Sequence, residues 1–238
     1  MGAYLGDTGI GQMFLGSIEI GKAYLGDTKV WEKGGVTPPQ PLPYDAEIEY
    51  LQSSGTQYID TGVYGYMNHT YELSFQQITT ARMVTWGARG QQSYIGYNMT
   101  FTWADDGATK WCVRWESTET RQRYVVLDVL DTNKHTINCS KGRVYFDDSY
   151  KGTSAGNNDD FILEHNVYLF CSNNAGVANP TSLVKIYSYK DIDENGNLVR
   201  DFIPVRVGQV GYMYDKVSGQ LFGNAGTGNF VLGNDITT

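Results

Sequence analysis

Cysteine is scarce in this sequence. Only 3 of the 238 residues are cysteines, and this odd, low number predicts no disulfide framework. Cys112, Cys139 and Cys171 each lie in an apolar run. Apolar surroundings of this kind are typical of buried free thiols, in a protein assembled in a reducing cytoplasm.

Charged residues are also few, and most of them are acidic. Lys and Arg total 18 against 26 Asp and Glu, which gives a net charge of −8. An acidic chain repels phosphate backbones, so we expect no nucleic acid partner. No apolar run approaches the roughly 20 residues that span a bilayer, and the first residues show no secretory signal. We therefore expect no membrane partner.

Tyrosine and glycine are abundant, and apolar residues alternate with polar ones in many short segments. The chain holds 18 Tyr and 28 Gly, a composition that favours strands and tight turns. Residues 71–75 and 184–189 alternate as half-buried strands do, whereas the continuous run 123–130 predicts a strand buried on both faces. We expect an all-β fold in which residues 45–238 form a two-sheet sandwich of about fourteen strands.

A ten-residue repeat occupies the N-terminus. Residues 3–8 and 23–28 both read AYLGDT, and residues 13–17 (MFLGS) are a degenerate copy between them. Gly-Asp and Gly-Ser supply the backbone freedom of a tight turn, so residues 1–33 should be a β-meander or stacked hairpins. So short an arm cannot bury enough surface to stand alone, which predicts an anchoring or oligomerisation element. Its candidate anchoring residues are Tyr4, Leu5, Phe14, Leu15, Tyr24, Leu25 and Trp31.

A proline-rich segment follows the repeat. Residues 34–44 hold four of the six prolines of the chain. Such segments are extended, semi-rigid spacers of about 3 Å per residue. We expect this linker to separate the arm from a domain that spans residues 45–238.

Two groups of motifs bracket that domain. The first is residues 50–62 (YLQSSGTQYIDTG), and the second runs through residues 183–187 (LVKIY), 198–205 (LVRDFIPV), 211–215 (GYMYD) and 224–230 (NAGTGNF). Both resemble the concanavalin A-like lectin/glucanase (laminin-G-like) jelly-roll domains of bacteriophage and prophage structural proteins. Residues 22–31 (KAYLGDTKVW) are similar to a short motif at the start of phage tail and head appendage proteins.

The resemblance implies a virion component, such as a fibre, decoration or adhesin-like subunit. We expect a phage structural protein, assembled in the host cytoplasm and located in the virion. Its arm would dock on a phage capsid or tail protein, and its jelly roll would face outward and bind host glycans. Because the arm cannot stand alone, we expect a homotrimer. The alternatives are a stand-alone carbohydrate-binding module of a gut bacterium and a glycoside hydrolase of the glucanase class.

Catalytic and metal-binding patterns are missing. Glucanases of this class carry a Glu-x-Asp-x-x-Glu strand, and the nearest features here are Glu47-Ile48-Glu49 and Asp147-Asp148, so we predict no enzyme activity. His69, His135 and His165 are isolated, and no Cys-x-x-Cys occurs, which argues against zinc.

No cofactor is predicted, and calcium is the alternative. Residues 191–197 imitate the start of a calcium loop, but Phe202 stands at the twelfth position, where a bidentate Glu is required. Asn195-Gly196 forms a hairpin turn in its own right, which is the favoured interpretation. Residues 157–160 are a second acidic loop.

Aromatic side chains near polar loops are the candidate sugar platforms. Trp103 and Tyr97, with the nearby carboxylate Asp105, are the predicted carbohydrate-binding residues. Trp111 and Trp115 share one face of a strand, and core packing is the favoured interpretation for both.

Overall fold

The computed structural model describes the N-terminal repeat in pieces and most of the remaining chain. It describes residues 4–5, 8–9, 13–15, 18–25, 27–32, 42–81, 83–90, 96–99, 103–105, 108–116, 122–140, 142–153, 162–179 and 182–236. Every regular element within these ranges is a β-strand, which confirms the all-β prediction. Across the same ranges, no helix has the length and apolarity that crossing a membrane requires. The chain divides into two compact units, Met1–Leu42 and Pro43–Thr238.

The first unit contains three separate two-stranded sheets. Its strands are β1 (Tyr4–Leu5), β2 (Thr8–Gly9), β3 (Met13–Leu15), β4 (Ile18–Ile20), β5 (Lys22–Leu25) and β6 (Thr28–Glu32). The pairs β1–β2, β3–β4 and β5–β6 are antiparallel, and their innermost partners are Leu5 with Thr8, Leu15 with Ile18 and Leu25 with Thr28. Each copy of the repeat is therefore one hairpin. The prediction of hairpins is confirmed, and among the described residues of this unit no strand pairing joins one hairpin to the next into a continuous meander.

The second unit contains the remaining strands. They are β7 (Ala46–Glu47), β8 (Leu51–Gln52), β9 (Ile59–Tyr66), β10 (Thr70–Gln77), β11 (Trp86–Arg89), β12 (Gly96–Met99), β13 (Trp103–Asp105), β14 (Ala108–Glu116), β15 (Gln122–Val129), β16 (Lys134–Ser140), β17 (Arg143–Phe146), β18 (Ser149–Thr153), β19 (Ile162–Leu169), β20 (Asn173–Asn174), β21 (Val177–Ala178), β22 (Val184–Ile192), β23 (Leu198–Val207), β24 (Val210–Asp215), β25 (Gln220–Phe222) and β26 (Val231–Leu232). More strands form than the predicted fourteen, because two-residue strands such as β7 and β26 are too short to show a periodic pattern.

These strands form two large sheets. Sheet I has eleven strands and runs β18-β17-β16-β10-β22-β23-β24-β25, with β7 on β23 and with β8 joining β22 to β26. Sheet II has nine strands and runs β13-β14-β12-β11-β19-β9, with β15 on β14 and with β20 and β21 beside β11. Both sheets are large and mostly antiparallel, as in a β-sandwich.

Alternating residues of both sheets meet in one core. Along β10, Tyr71, Leu73 and Phe75 are buried, while the residues between them are half-buried on the opposite face. Rings of sheet I contact rings of sheet II: Tyr71 lies 5.3 Å from Trp86, and Phe75 lies 5.9 Å from Trp111. Trp111 is therefore a core residue, as predicted.

Two expectations about burial have different outcomes. All three cysteines are free and buried, as predicted. The run 123–130 is not buried on both faces, because Val126 is 39% exposed between the buried residues Val125 and Leu127. Its apolar residues continue on the outward face of the strand. A continuous apolar run alone does not distinguish a strand buried on both faces from one that exposes apolar side chains on one face.

Candidate functional site

The outward face of sheet I carries a row of small hydroxyl side chains. Ser74 on β10 is directly paired with Ser188 on β22 on one side and with Thr136 on β16 on the other. These three residues lie on three adjacent strands and form one row across the sheet. Ser74 and Ser188 are half-buried, and Thr136 is exposed. Because all three side chains are small, the row forms a low strip between larger neighbours.

The next row along the strands is taller and charged. Glu72 pairs with Lys190 on one side and with Asn138 on the other, and Asn138 pairs with Tyr145 on β17. The Asn138 amide donates to Glu72 Oε1 at 3.1 Å, and Lys190 Nζ lies 3.7 Å from Glu72 Oε2. Glu72 is thus held between an amide and a cation, with its carboxylate at the centre of the row.

Two tyrosines and two lysines lie on the opposite side of the row of hydroxyls, around Gln76, which pairs with Lys134 and Lys185. Tyr187 donates its hydroxyl proton to Gln76 Oε1 at 2.6 Å, and Lys134 Nζ lies 4.0 Å from the centre of the Tyr187 ring. The Tyr50 ring meets Tyr187 edge-on at 5.6 Å, and Lys185 Nζ lies 4.2 Å from its centre. Cation–π contacts therefore fix both rings beside the row of hydroxyls.

A groove of about 300 Å³ opens on this face. It is lined by Glu72, Leu73, Ser74, Thr136, Ile137, Asn138, Tyr145, Asp148, Ser188 and Lys190. The side chains of Leu73 and Ile137 are buried in the core, so the polar residues supply the groove with hydroxyl, amide, carboxylate and ammonium groups. These groups can donate to and accept from a ligand rich in hydroxyls. Among the residues that the structure describes, no group of three or more His, Cys, Asp or Glu could hold a metal ion.

The predicted sugar-binding residues lie on the other sheet. Trp103 and Asp105 are the ends of β13, and Tyr97 lies on β12, both in sheet II. Tyr97 is paired with Ala88 and with Trp115, and Trp103 with Lys110. The side chains of Trp103, Asp105, Tyr97 and Trp115 lie outside the described part of the structure, so their sugar-binding and core roles stay predictions.

The anchoring residues are described only in part. Tyr24 is 57% exposed and Trp31 is 3% exposed, so Tyr24 presents its ring to solvent and Trp31 does not. The backbones of the other five lie in the three hairpins. Their side chains, those of Tyr4, Leu5, Phe14, Leu15 and Leu25, are outside the described part. Anchoring therefore stays a prediction.

The calcium-like segment forms a turn. The Asp193 carboxylate accepts hydrogen bonds from the backbone amides of Asn195 and Asn197, at 2.9 Å and 2.8 Å, and from the Asn197 side chain. These bonds lower the pKa of Asp193. Gly196 has φ +88°, as a turn of this kind requires. The turn interpretation is confirmed, and the second acidic loop, residues 157–160, lies outside the described residues.

The acidic pairs singled out in the sequence make structural contacts. Glu47 accepts a hydrogen bond from the Tyr44 hydroxyl at 3.0 Å, and Glu49 accepts one from the Asn234 side chain at 3.0 Å. Asp147 bonds His135, whereas its neighbour Asp148 lines the groove. Asp148, which the sequence marks only as part of an incomplete catalytic pattern, is therefore a carboxylate of the groove.

Two histidines that are isolated in the sequence have carboxylate partners in the fold. His69 Nδ1 lies 2.6 Å from Asp191 Oδ1, and both residues are buried. His135 contacts Asp147 at 2.6 Å and Asp131 at 2.9 Å. The isolation of these histidines in the sequence therefore does not extend to the fold, where each contacts at least one carboxylate. Their partners lie on other strands and turns, and strand pairing, which brings them together, was not derivable from spacing.

The fold is similar to that of a candidate carbohydrate binding protein from Bacteroides ovatus, known from a crystal structure. The two chains superpose with a TM-score of 0.53 at 13% sequence identity, over 81% of this chain and 61% of the other. This chain thus spans less than two thirds of the length of that protein. At such low identity, the similarity shows a shared fold. No family model matches this sequence, and no curated protein matches it.

Proposed function

We propose that residues 43–238 bind a neutral saccharide in the groove on the outward face of sheet I. The observation that carries the proposal is the row of Ser188, Ser74 and Thr136, flanked by the Glu72 carboxylate and by tyrosine rings. Saccharide sites combine donors and acceptors for hydroxyl groups with aromatic walls for the apolar faces of the sugar. Here Tyr145 lines the groove itself, and Tyr187 flanks the row of hydroxyls.

The charges of the groove favour a neutral ligand over an acidic one. Glu72 and Asp148 are its two carboxylates, and Lys190, its one cation among the lining residues, is 3.7 Å from Glu72. An acidic sugar would face an excess of negative charge inside the groove and a net charge of −8 on the whole chain. A neutral sugar can instead donate hydroxyl protons to both carboxylates, and such charge-assisted bonds are the stronger kind.

The test is a titration of the full chain with neutral and acidic oligosaccharides by isothermal calorimetry. We expect binding of neutral ligands only. We expect the Glu72→Gln variant to lose about tenfold in affinity, because it replaces a bond to a charged acceptor (about 1.5–3 kcal/mol) by one to a neutral acceptor (about 0.5–1.5 kcal/mol). Ser188→Trp should block the groove. Glu164→Gln is the matched control, since Glu164 is an exposed carboxylate on β19 of sheet II.

The same experiment separates binding from catalysis. Reducing-sugar release from the bound oligosaccharide is measured in parallel, and we expect none. Release that Glu72→Gln or Asp148→Asn abolishes would instead support the glycoside hydrolase alternative, since paired carboxylates in a groove are the usual machinery of that reaction.

The virion role is a separate matter. It rests on the motif resemblance of residues 22–31 and of the bracketing motifs, and nothing in the structural similarity bears on a phage origin. Saccharide binding through the groove is compatible with a virion subunit and with a stand-alone module. The arm of three hairpins is the part of the chain that would distinguish the two.

A further inference from the structure

His135 is held between two carboxylates. Its Nδ1 lies 2.6 Å from Asp147 Oδ2, and its Nε2 lies 2.9 Å from Asp131 Oδ1. An ionised carboxylate only accepts hydrogen bonds, and both ring nitrogens of histidine donate only when the ring is protonated. The geometry is therefore that of an imidazolium that bridges two acceptors.

Among the residues that the structure describes, the other side chains in contact with His135 are uncharged rings. Phe146 of β17 stacks on it with centroids 4.7 Å apart, Trp111 of β14 lies at 4.6 Å and Phe75 of β10 at 6.3 Å. Lys134, the adjacent cation on β16, lies over the Tyr187 ring instead. Burial lowers the pKa of His135, but the bonds and charges of Asp131 and Asp147 together outweigh it, so that the pKa is raised.

The Asp147 side chain connects His135 to the groove. The Asp147 Oδ1 accepts a hydrogen bond from the backbone amide of Thr136 at 2.8 Å. The backbone amide of Asp147 donates in return to the Thr136 carbonyl oxygen at 3.0 Å. Thr136 belongs to the row of hydroxyls, and Asp148, the next residue, lines the groove. Asp147 and Asp148 have φ of 47° and 60°, a conformation that costs a residue other than glycine some energy and that needs support from its surroundings.

We propose that protonated His135 is a positioning residue of the groove, which holds the Asp147–Asp148 turn in place and makes saccharide binding weaken when the ring loses its proton. The inference rests on the proposed function, because it concerns the regulation of the same site. A neutral ring has one N–H, so one of its nitrogens turns a lone pair toward a carboxylate. One of the two contacts is then lost, and the turn loses part of its support.

The direction of the pH dependence follows from the raised pKa. The ordinary value for histidine is 6.5. A group whose pKa is raised by folding contributes its full stabilisation below the ordinary value and loses it as the pH rises through the folded value. Binding should therefore be strongest in mildly acidic solution and weaken in alkaline solution.

The test begins with a measurement that needs no ligand. The pKa of His135 is determined by NMR titration of its ring in the wild-type chain, and the backbone amide shift of Thr136 is followed in the same samples. We expect a His135 pKa above 6.5 and a Thr136 amide that titrates with the same midpoint. A pKa at or below the ordinary value, or a Thr136 shift that is flat through the His135 transition, would overturn the proposal.

The second measurement is calorimetric titration with lactose, cellobiose and laminaribiose at about pH 5.5 and about pH 8.5. The wild-type chain should bind about tenfold more weakly at the higher pH, which corresponds to one pKa unit of coupling. His135→Gln should bind weakly at both pH values, and His165→Gln, a substitution on β19 of sheet II, should behave as wild type. Equal affinity at both pH values across a measured His135 transition would contradict the coupling.

The two measurements separate the two ideas. A wild-type chain that binds none of the three disaccharides at either pH overturns the proposed function, and the Thr136 titration then decides only whether protonated His135 supports the Asp147–Asp148 turn. A chain that binds without pH dependence keeps the proposed function and overturns the role of His135.

Discussion

The side chain of Asn224 accepts a hydrogen bond from the backbone amide of Tyr58, with its Oδ1 3.1 Å from the amide nitrogen. The two residues belong to the two motif groups at opposite ends of the domain. Backbone bonds from Ala225 to Tyr58 O at 2.9 Å and from Thr227 to Thr56 O at 3.1 Å continue the contact. Together with the pairing of β8 and β26, these bonds join the first and the last segments of the domain.

Gly226→Ala should disrupt this closure. A Cβ at position 226 would lie 2.1 Å from Thr56 O, so the backbone of one motif would have to move away from the other. We expect a loss of about 1–3 kcal/mol in the free energy of unfolding, the range of an overpacked site, measured by urea denaturation. The control is Gly176→Ala, where no atom lies within 4 Å and only the positive φ of 87° opposes the substitution. Equal losses for the two variants would contradict the steric explanation.

Local patterns predicted local structure well in this chain. The ten-residue repeat predicted hairpins because both strands and the turn of a hairpin lie within one copy. The bracketing motifs carry only a resemblance to a family, but the structure adds a reason for their residues. The side chains of Gln57 and Thr56 donate hydrogen bonds to the backbone oxygen of Thr227. The Asn224 side chain accepts one from the backbone amide of Gly226 in its own loop.

The groove could not be predicted in the same way. Ser74, Ser188 and Thr136 are ordinary polar positions of alternating strands, and only the pairing of β10 with β16 and β22 places them in one row. Aromatic residues near polar loops predict sugar platforms at Trp103 and Tyr97, which lie on the other sheet. Pairing between distant strands is set by the whole core, and a single sequence carries little information about it.

Asp191→Asn should change stability far less than Asp191→Ala. Asp191 is fully buried and its Oδ1 lies 2.6 Å from His69 Nδ1, a contact that an amide oxygen can keep. Burial raises the pKa of Asp191, and the bond and charge of His69 offset this only in part. We expect Asp191→Asn to stay within about 1 kcal/mol of wild type at neutral pH and Asp191→Ala to lose about 3 kcal/mol or more.

The pH dependence gives a second check on this pair. A carboxyl group with a raised pKa stabilises the fold fully below its ordinary value of 3.8 and loses that contribution as the pH rises through the folded value. The free energy of unfolding of Asp191→Asn, relative to that of wild type, should therefore be higher at about pH 7 than at about pH 4. Urea denaturation curves at the two pH values measure this difference. The opposite trend would show that the ion pair with His69 outweighs the cost of burial.

The three cysteines should be inert to thiol reagents in the folded chain. Burial raises the pKa of Cys139 well above its usual range and that of Cys171 to about 12. Cys112 is buried as well. At pH 8 the thiolate fraction of Cys171 would be on the order of 10⁻⁴, and the thiolate is the reactive form. Reaction with a chromogenic disulfide should be negligible in native protein and reach three thiols per chain in denaturant; rapid native labelling would contradict this burial.

The arm should determine the oligomeric state. A two-stranded hairpin is at best marginally stable in water, and Tyr24 in the third hairpin is 57% exposed. If the hairpins of three chains cover one another, light scattering of the full chain should give about 80 kDa, three times the 26.5 kDa of one chain.

Residues 43–238 alone should be monomeric, and Tyr24→Ser should weaken the trimer. Tyr150→Ser, at an equally exposed position of β18, is the matched control. A monomeric mass for the full chain would contradict the predicted trimer, and trimers formed by residues 43–238 alone would assign association to the domain instead of the arm.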